Sequence, residues 1–347
     1  HRKAIHFGIG VIIAQYNAGA KFMLLFQLLI QINTDNSDHN MFEGKMKHIL
    51  GILFAVSAAV LWSFFSLLTK QIYILSDISP YDMVYFRCLL PLVFTLIYAH
   101  IAGIDILAIR REISTEMFYR ALIWAFIVTL NFISMKIMIL SRYMILLSTG
   151  PMMTSIMGYF ALHERLSIFD GISCIASFIG VVLVAMNPHA GGSGLTKEPG
   201  WAFILPLVSA FTGSIGDLLQ RKYSAKIHFA AAQAWLYAAT MCVVPFVSLG
   251  VHGYCQTSFA GFSLKTLIYL MMFGVVGFVA ITCYILSLKY EKAGRVAAIS
   301  YLQILNIIAI DAFYFDIAID GRDILAASLI VGCSFTITLL KAFEIIS

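Results

Sequence analysis

His163-Glu164-Arg165-Leu166, with Gly180-Val181 beyond it, has a counterpart far down the same chain in Phe315-Asp316-Ile317-Ala318, with Gly332-Cys333 beyond it. Acid and glycine stand sixteen residues apart in both places, and the two blocks are offset by 152. Working outward, Ser134-Met135-Lys136 with Arg142 matches Ser287-Leu288-Lys289 with Arg295 at an offset of 153, so a single residue has been inserted between the matching blocks. A weaker echo pairs Leu67-Leu68-Thr69-Lys70 with Leu218-Leu219-Gln220-Arg221. The chain therefore states one unit twice, over residues 47–187 and again over 201–345, with a linker at 188–200. Each unit contains five apolar stretches.

Composition says where such a unit must live. Of 347 residues, 61% are hydrophobic and 12% charged, too few polar groups to wet the surface of a soluble globule. The apolar stretches fall near 48–70, 80–101, 118–139, 142–162, 168–187, 201–220, 228–250, 264–288, 294–315 and 323–345. Each is long enough for a helix to cross ~30 Å of hydrocarbon. They are continuous apolar runs without inward and outward alternation, which excludes a β-barrel. The expected fold is all-α and polytopic, with ten transmembrane helices. Because five spans per unit is an odd number, the second unit must enter the bilayer upside down. Two inverted five-helix repeats can hold a midplane site that faces either side as one half rocks against the other.

Lys and Arg are retained on the cytoplasmic side of short loops. One set of segments holds thirteen of them, from Lys45 and Lys47 through Arg110, Arg221 and Lys292 to Lys341, while the opposite set holds six. Both ends of the ten-span unit are therefore expected in the cytoplasm. The net charge of +5 follows from this loop bias, and no basic stripe or RNA- or DNA-binding motif accompanies it, so no nucleic-acid partner is expected. Residues 1–46 stand outside the repeat. Their apolar stretch at 7–32 reads as an extra anchor helix, a targeting segment, or sequence upstream of a start at Met41; the last is favoured because the repeat begins only after Met41. The six cysteines show no CxxC spacing and mostly lie within spans, as small apolar residues.

Ionisable groups inside spans cost about 2.5–3.5 kcal/mol at the helix centre, so they normally face a cavity or a partner. Arg87, eight residues into the second span, lies too deep for easy escape and is a candidate anion binder or one half of a structural pair. Asp217 in the sixth span and Asp311 in the ninth are candidates for proton coupling or for a charge pair. Lys136 and Arg142 fall toward the outer face and their repeat partners Lys289 and Arg295 toward the cytoplasm, so basic groups would flank both mouths of one pathway. Such mouths would concentrate an anion whichever way the site opened. The alternative for all four is helix-end charge that fixes topology. Further candidate substrate-binding groups are Asn131, with Ser134 three residues on, and the cluster Tyr301, Gln303 and Asn306 in the ninth span. Ser63 and Ser66 share a face of the first span, and Trp62, Trp124 and Trp235 could stack on a ligand or simply pack. Thr149-Gly150-Pro151 is expected to break the fourth span, and Gly274 and Gly277 to free backbone groups in the eighth. Spans five and ten are poorest in polar groups and are placed against lipid or a second copy of the chain. Catalytic motifs are missing: His163-Glu164 has no second histidine at metal spacing, and neither GxSxG nor a glycine-rich phosphate loop occurs. No enzyme activity, metal or cofactor is expected.

Several blocks carry a family likeness: Phe86-Arg87-Cys88, Ser148-Thr149-Gly150-Pro151-Met152-Met153-Thr154-Ser155, Leu162-His163-Glu164-Arg165-Leu166 leading to Gly180-Val181-Val182-Leu183, and Glu291-Lys292-Ala293-Gly294. In their order and spacing the chain from Met41 onward resembles the drug/metabolite transporter superfamily, EamA type, and particularly the solute carrier 35 group G branch. The resemblance implies two inverted five-helix repeats around a cavity lined mainly by the first four helices of each half. It implies exchange or ion-coupled transport of a small molecule without a prosthetic group. Asp316-Ile317-Ala318 departs from the family's acidic turn in the second repeat. Taken together, the expectation is a secondary transporter for a small polar, candidate anionic, organic metabolite working by alternating access, with a homodimer through spans five and ten as a further expectation. The competing expectation is a transport-inactive scaffold or regulatory subunit of a membrane assembly.

Overall fold

In a computed structural model, residues 42–106, 111–150, 153, 157, 168–186, 199–223, 229–253, 261–290, 296, 299–317, 320–333 and 335–336 are described. Residues 1–47 and 48–347 form separate units, and the second carries the helical bundle. Every regular element among the described residues is helical. In chain order they are α1 (Phe42–Leu75), α2 (Pro80–Ile101), α3 (Arg111–Ile137), α4 (Leu140–Leu147), α5 (Ile168–Ala185), α6 (Ile204–Tyr223), α7 (Phe229–His252), α8 (Leu264–Tyr290), α9 (Leu302–Phe313) and α10 (Gly321–Ala327). A π-helical turn, Ser328–Gly332, continues α10. Each lies where the sequence places an apolar stretch.

Five helices among the described residues are long and apolar enough to cross a bilayer: Ile49–Leu75, Pro80–Ile101, Met117–Ile137, Ala230–Val251 and Leu264–Ser287. Shorter apolar helices among the described residues are Ile204–Gly216, within α6, and α9, of twelve residues. The chain is thus an integral, multi-pass membrane protein. Large apolar side chains face outward along several helices, among them Leu53, Val93, Ile175, Phe178 and Phe246. Such a surface is stable in lipid and aggregates in water.

Local sequence sets the helix ends. Ser79 caps α2 by accepting the Tyr81 amide at 3.3 Å, with Pro80 in the first helical position and Asp82 in the first turn. Gly253, at φ +72°, stops α7 in a left-handed conformation that a side chain would resist. In the fourth apolar stretch α4 ends at Leu147, directly before the expected break at Thr149-Gly150-Pro151. Ser148 and Thr149 fold their hydroxyls back onto the Met144, Ile145 and Leu146 carbonyls, which satisfies backbone left by the break.

The helices interlock between the two halves of the sequence. α2 packs on α7, α3 on α6 and α7, α8 on α2, α4 on α9, and α5 on α10 and its π-turn. The expectation that Gly274 and Gly277 free backbone groups in the eighth span is corrected here, since α8 is continuous through both. They are contact points instead. A Cβ at Gly274 would come within 2.5 Å of Leu90, and one at Gly277 within 3.1 Å of Phe65. Gly180 does the same for α5, where a Cβ would meet Ile330 at 2.5 Å. Each glycine lets two helices approach closely where hydrophobic burial gives little drive between them.

Candidate functional site

Midway along the helices, α1, α2, α3, α4 and α9 surround a cavity of about 230 Å³. Its wall is mostly apolar and aromatic, because these spans supply Trp62 and Phe65 from one helix and Trp124 and Phe132 from another. Its polar groups are few: Ser66, Arg87, Asn131, the Tyr143 hydroxyl and Gln303. A small number of polar groups in an apolar wall is the usual composition of a ligand pocket. Three of the expected binding residues, Arg87, Asn131 and Gln303, therefore meet in one place although 216 positions separate the first from the last.

Arg87 sets the electrostatics. Its guanidinium carbon lies 5.0 Å from the Phe65 ring centre, 5.4 Å from Trp62, and 5.9 Å from both Trp124 and Phe132. Four π faces stabilise the cation without neutralising it. The cage is itself braced, since Phe65 stacks on Phe273 of α8 at 4.4 Å and meets Trp62 edge-on at 5.3 Å. Among the described residues lining the cavity there is no Asp or Glu. Arg87 Nε and Trp124 Nε1 are both buried and have no hydrogen-bond partner. Buried donors of this kind are normally satisfied, so two on one cavity wall call for an acceptor.

Asn131 is oriented from the other half of the chain. Ser209 of α6 donates to its Oδ1 at 2.6 Å, which engages one of the two lone pairs of that oxygen and turns the amide oxygen toward α6. Gln303 meets Met144 Sδ at 4.0 Å through Nε2, a weak contact, while its backbone carbonyl accepts from Ser63 at 3.3 Å. Ser66 donates back to the Trp62 carbonyl. Tyr301 and Asn306 lie outside the cavity lining: Tyr301 precedes α9 and packs in a cluster with Met144 and Ile145 of α4. Residues two apart on a helix point to opposite sides, so Tyr301 and Gln303 could not share this face. Trp235 is exposed and donates to the Ile106 carbonyl at 3.0 Å.

One to two helical turns beyond the cavity, toward the end where α1 and α3 finish and α4 begins, the charged groups are matched. Lys70 is buried and donates to the Met135 and Met138 carbonyls at 3.1 and 2.8 Å, capping α3. Asp311 accepts the Ser141 amide at 2.6 Å, at the first turn of α4. Arg142 pairs with Asp323 at 3.5 Å and donates to the Val184 carbonyl at 2.6 Å, tying α4, α5 and α10 together. Both partners of that pair are buried. Lys136 is nearer the surface, donating to the Ile78 carbonyl at 3.0 Å and lying 3.7 Å from Asp77. Sequence alone does not single out Lys70 or Asp323, because each sits at a span end, where a charge resembles a loop residue. The Asp217 and Lys289 side chains and all of Arg295 lie outside the described residues.

Residues 49–186 match the EamA-like transporter family. The chain is similar to human solute carrier family 35 member G1, with 24% identity over 276 residues, covering 77% of this chain and 73% of that protein. The mouse protein of the same name is 23% identical over 278 residues, covering 78% of this chain and 71% of that protein. A protein crystal structure shares the fold at a TM-score of 0.59 and 18% identity, over 86% of this chain and 99% of that chain.

Proposed function

We propose, with an EamA-like transporter domain at residues 49–186 as the premise, that this membrane transporter is a secondary carrier for a small polar organic anion. The observation that carries the anion is Arg87, a cation in an aromatic cage, with its Nε and the Trp124 N–H both buried and unpartnered. The residues assigned to the solute are Arg87, Asn131 and Gln303. Domains of this family belong to transporters, and the chain is no enzyme.

Alternating access through two inverted five-helix repeats is the mechanism in this reading. Its support is the pairing of helices. Exchanging each span of the first half with its counterpart in the second turns the α3–α7 contact into the α8–α2 contact, and maps α2–α7, α4–α9 and α5–α10 onto themselves. A two-fold relation within the membrane plane has that property. The matched charges at one end then act as the closed gate of this state, with the cavity behind them. By the Lys and Arg bias that end faces away from the cytoplasm. Asp311, held on the Ser141 amide within the gate, is the coupling candidate, because protonating it would weaken that contact. A homodimer through α5 and α10 would use exposed faces of the two helices that pack on each other through Gly180 and Ile330.

The test is thermal stability of the purified chain against carboxylates, nucleotide sugars, amino acids and nucleosides, repeated with Arg87→Ala and followed by counterflow of any hit in proteoliposomes. A hit that stabilises the wild type alone and exchanges across the membrane is the expected result. A folded protein that binds and moves none of them would leave the scaffold reading in its place.

A further inference from the structure

We infer that the occupant of the cavity is a small organic monocarboxylate with a planar apolar body. The inference deepens the carrier reading, and depends on it only for movement across the membrane.

Charge limits the occupant first. Arg87 is the one cation among the described lining residues, and no carboxylate is present to bind a counter-cation. A single negative charge balances the site. A second or third charge on the same molecule would be buried beside apolar walls without a partner, which is strongly unfavourable. Dianionic nucleotide sugars and tricarboxylates are therefore disfavoured, and a neutral solute leaves the cation as it stands.

The donors then place the charge. Arg87 Nε and Trp124 Nε1 are buried and unpartnered, and the guanidinium carbon lies 5.9 Å from the Trp124 ring centre. Two unpartnered donors on residues that line one cavity suit an acceptor with two oxygens on one carbon. A carboxylate meets that need and accepts charge-assisted hydrogen bonds from both. The Asn131 amide, whose oxygen accepts from Ser209, adds two further donors.

Size and wall chemistry fix the rest of the molecule. About 230 Å³ is below the ~300–1,000 Å³ of pockets that hold drug-sized ligands, and equals roughly seven or eight water volumes. Beyond the donors the wall is mostly apolar, with Trp62, Ile127, Val128, Met144 and Leu147 beside a few polar side chains, Ser66, Tyr143 and Gln303. A sugar, with a hydroxyl on nearly every carbon, would leave most of them without a partner there. A flat hydrocarbon ring keeps dispersion contact with the indole and aliphatic walls on both its faces.

Phenylacetate serves as the probe, with phenylacetamide as its neutral match, and citrate and UDP-glucose as the multiply charged comparison. The full-length chain in detergent is titrated by tryptophan fluorescence and by thermal shift. Trp62 and Trp124 line the cavity, whereas Trp201 and Trp235 are exposed, so an occupant changes the buried component. The expected result is saturable binding of phenylacetate, with the amide, citrate and UDP-glucose each at least about tenfold weaker. Arg87→Gln should weaken phenylacetate about tenfold or more. Trp124→Phe keeps the ring and removes one donor, and should weaken it about threefold to tenfold at an unchanged melting temperature. Equal affinity for acid and amide overturns the proposal, as does the absence of binding to a folded wild type. Exchange in proteoliposomes separates this inference from the carrier reading. Phenylacetate that binds without exchanging keeps the occupant and sinks the carrier. Citrate or UDP-glucose that exchanges in an Arg87-dependent way, uncontested by phenylacetate, keeps the carrier and overturns the occupant.

Discussion

Two buried cationic regions lie a turn or two apart on the same helices, and they are built in opposite ways. Around Arg87 the cation faces π systems, and two buried donors go unanswered. Around Lys70, Arg142 and Asp311 the charged groups meet carbonyls, a carboxylate or an amide. Arg87 and Asp311 both stand out in the sequence as expensive residues inside spans, and cost alone does not distinguish them. Partnership does. A matched charge can be explained by folding, whereas an unmatched one in a cavity implies something that arrives later.

The largest effect should come from unmatching the matched end. Asp323→Ala takes from the buried Arg142 its carboxylate partner, and should cost about 3–5 kcal/mol in detergent unfolding. Arg142→Met combined with Asp323→Leu should recover most of that loss, because removing both charges also removes their desolvation cost. If Asp323→Ala is neutral, the pair does not hold this end together, and the contrast with Arg87 fails.

Next in size is Lys70→Met, which keeps the aliphatic stem and removes two charge-assisted hydrogen bonds. A loss of about 2–3 kcal/mol is expected from unfolding midpoints. Arg87→Leu should instead change stability by less than about 1 kcal/mol, since no ion pair is broken and an unpartnered charge is removed, while phenylacetate binding disappears. A large destabilisation with binding intact would move Arg87 into the matched class.

These variants also show how much could be read from sequence. The ten apolar stretches located the helices because burial in lipid demands long continuous hydrophobic runs. Arg87, Asn131 and Gln303 stood out because lipid tolerates polar groups poorly. What escaped was pairing over distance. Arg142 meets Asp323 across 181 positions, and no local pattern records that contact. Glycine misled for a related reason: Gly274 looks like a weak point along its own helix, and only the approach of Leu90 from α2 reveals a contact surface. Of the span-nine cluster only Gln303 is among the cavity's lining residues, and Tyr301, two positions before it, falls on another side of the helix.

The smallest effect concerns Ser209, which does not itself line the cavity and acts through Asn131. Its hydroxyl donates to Oδ1 at 2.6 Å and so favours this orientation of the amide. In Ser209→Ala that constraint is gone, and the amide can turn by half a revolution at little cost. It then presents an acceptor as readily as a donor. A carboxylate loses a donor and a neutral amide gains an acceptor, so the preference for phenylacetate over phenylacetamide should narrow by about threefold to fivefold. Stability should fall by no more than about 1 kcal/mol. The diagnostic quantity is the ratio of the two affinities. If both fall together, Ser209 merely packs α6 on α3; if only the ratio moves, the second half of the chain orients a donor in a cavity built largely by the first.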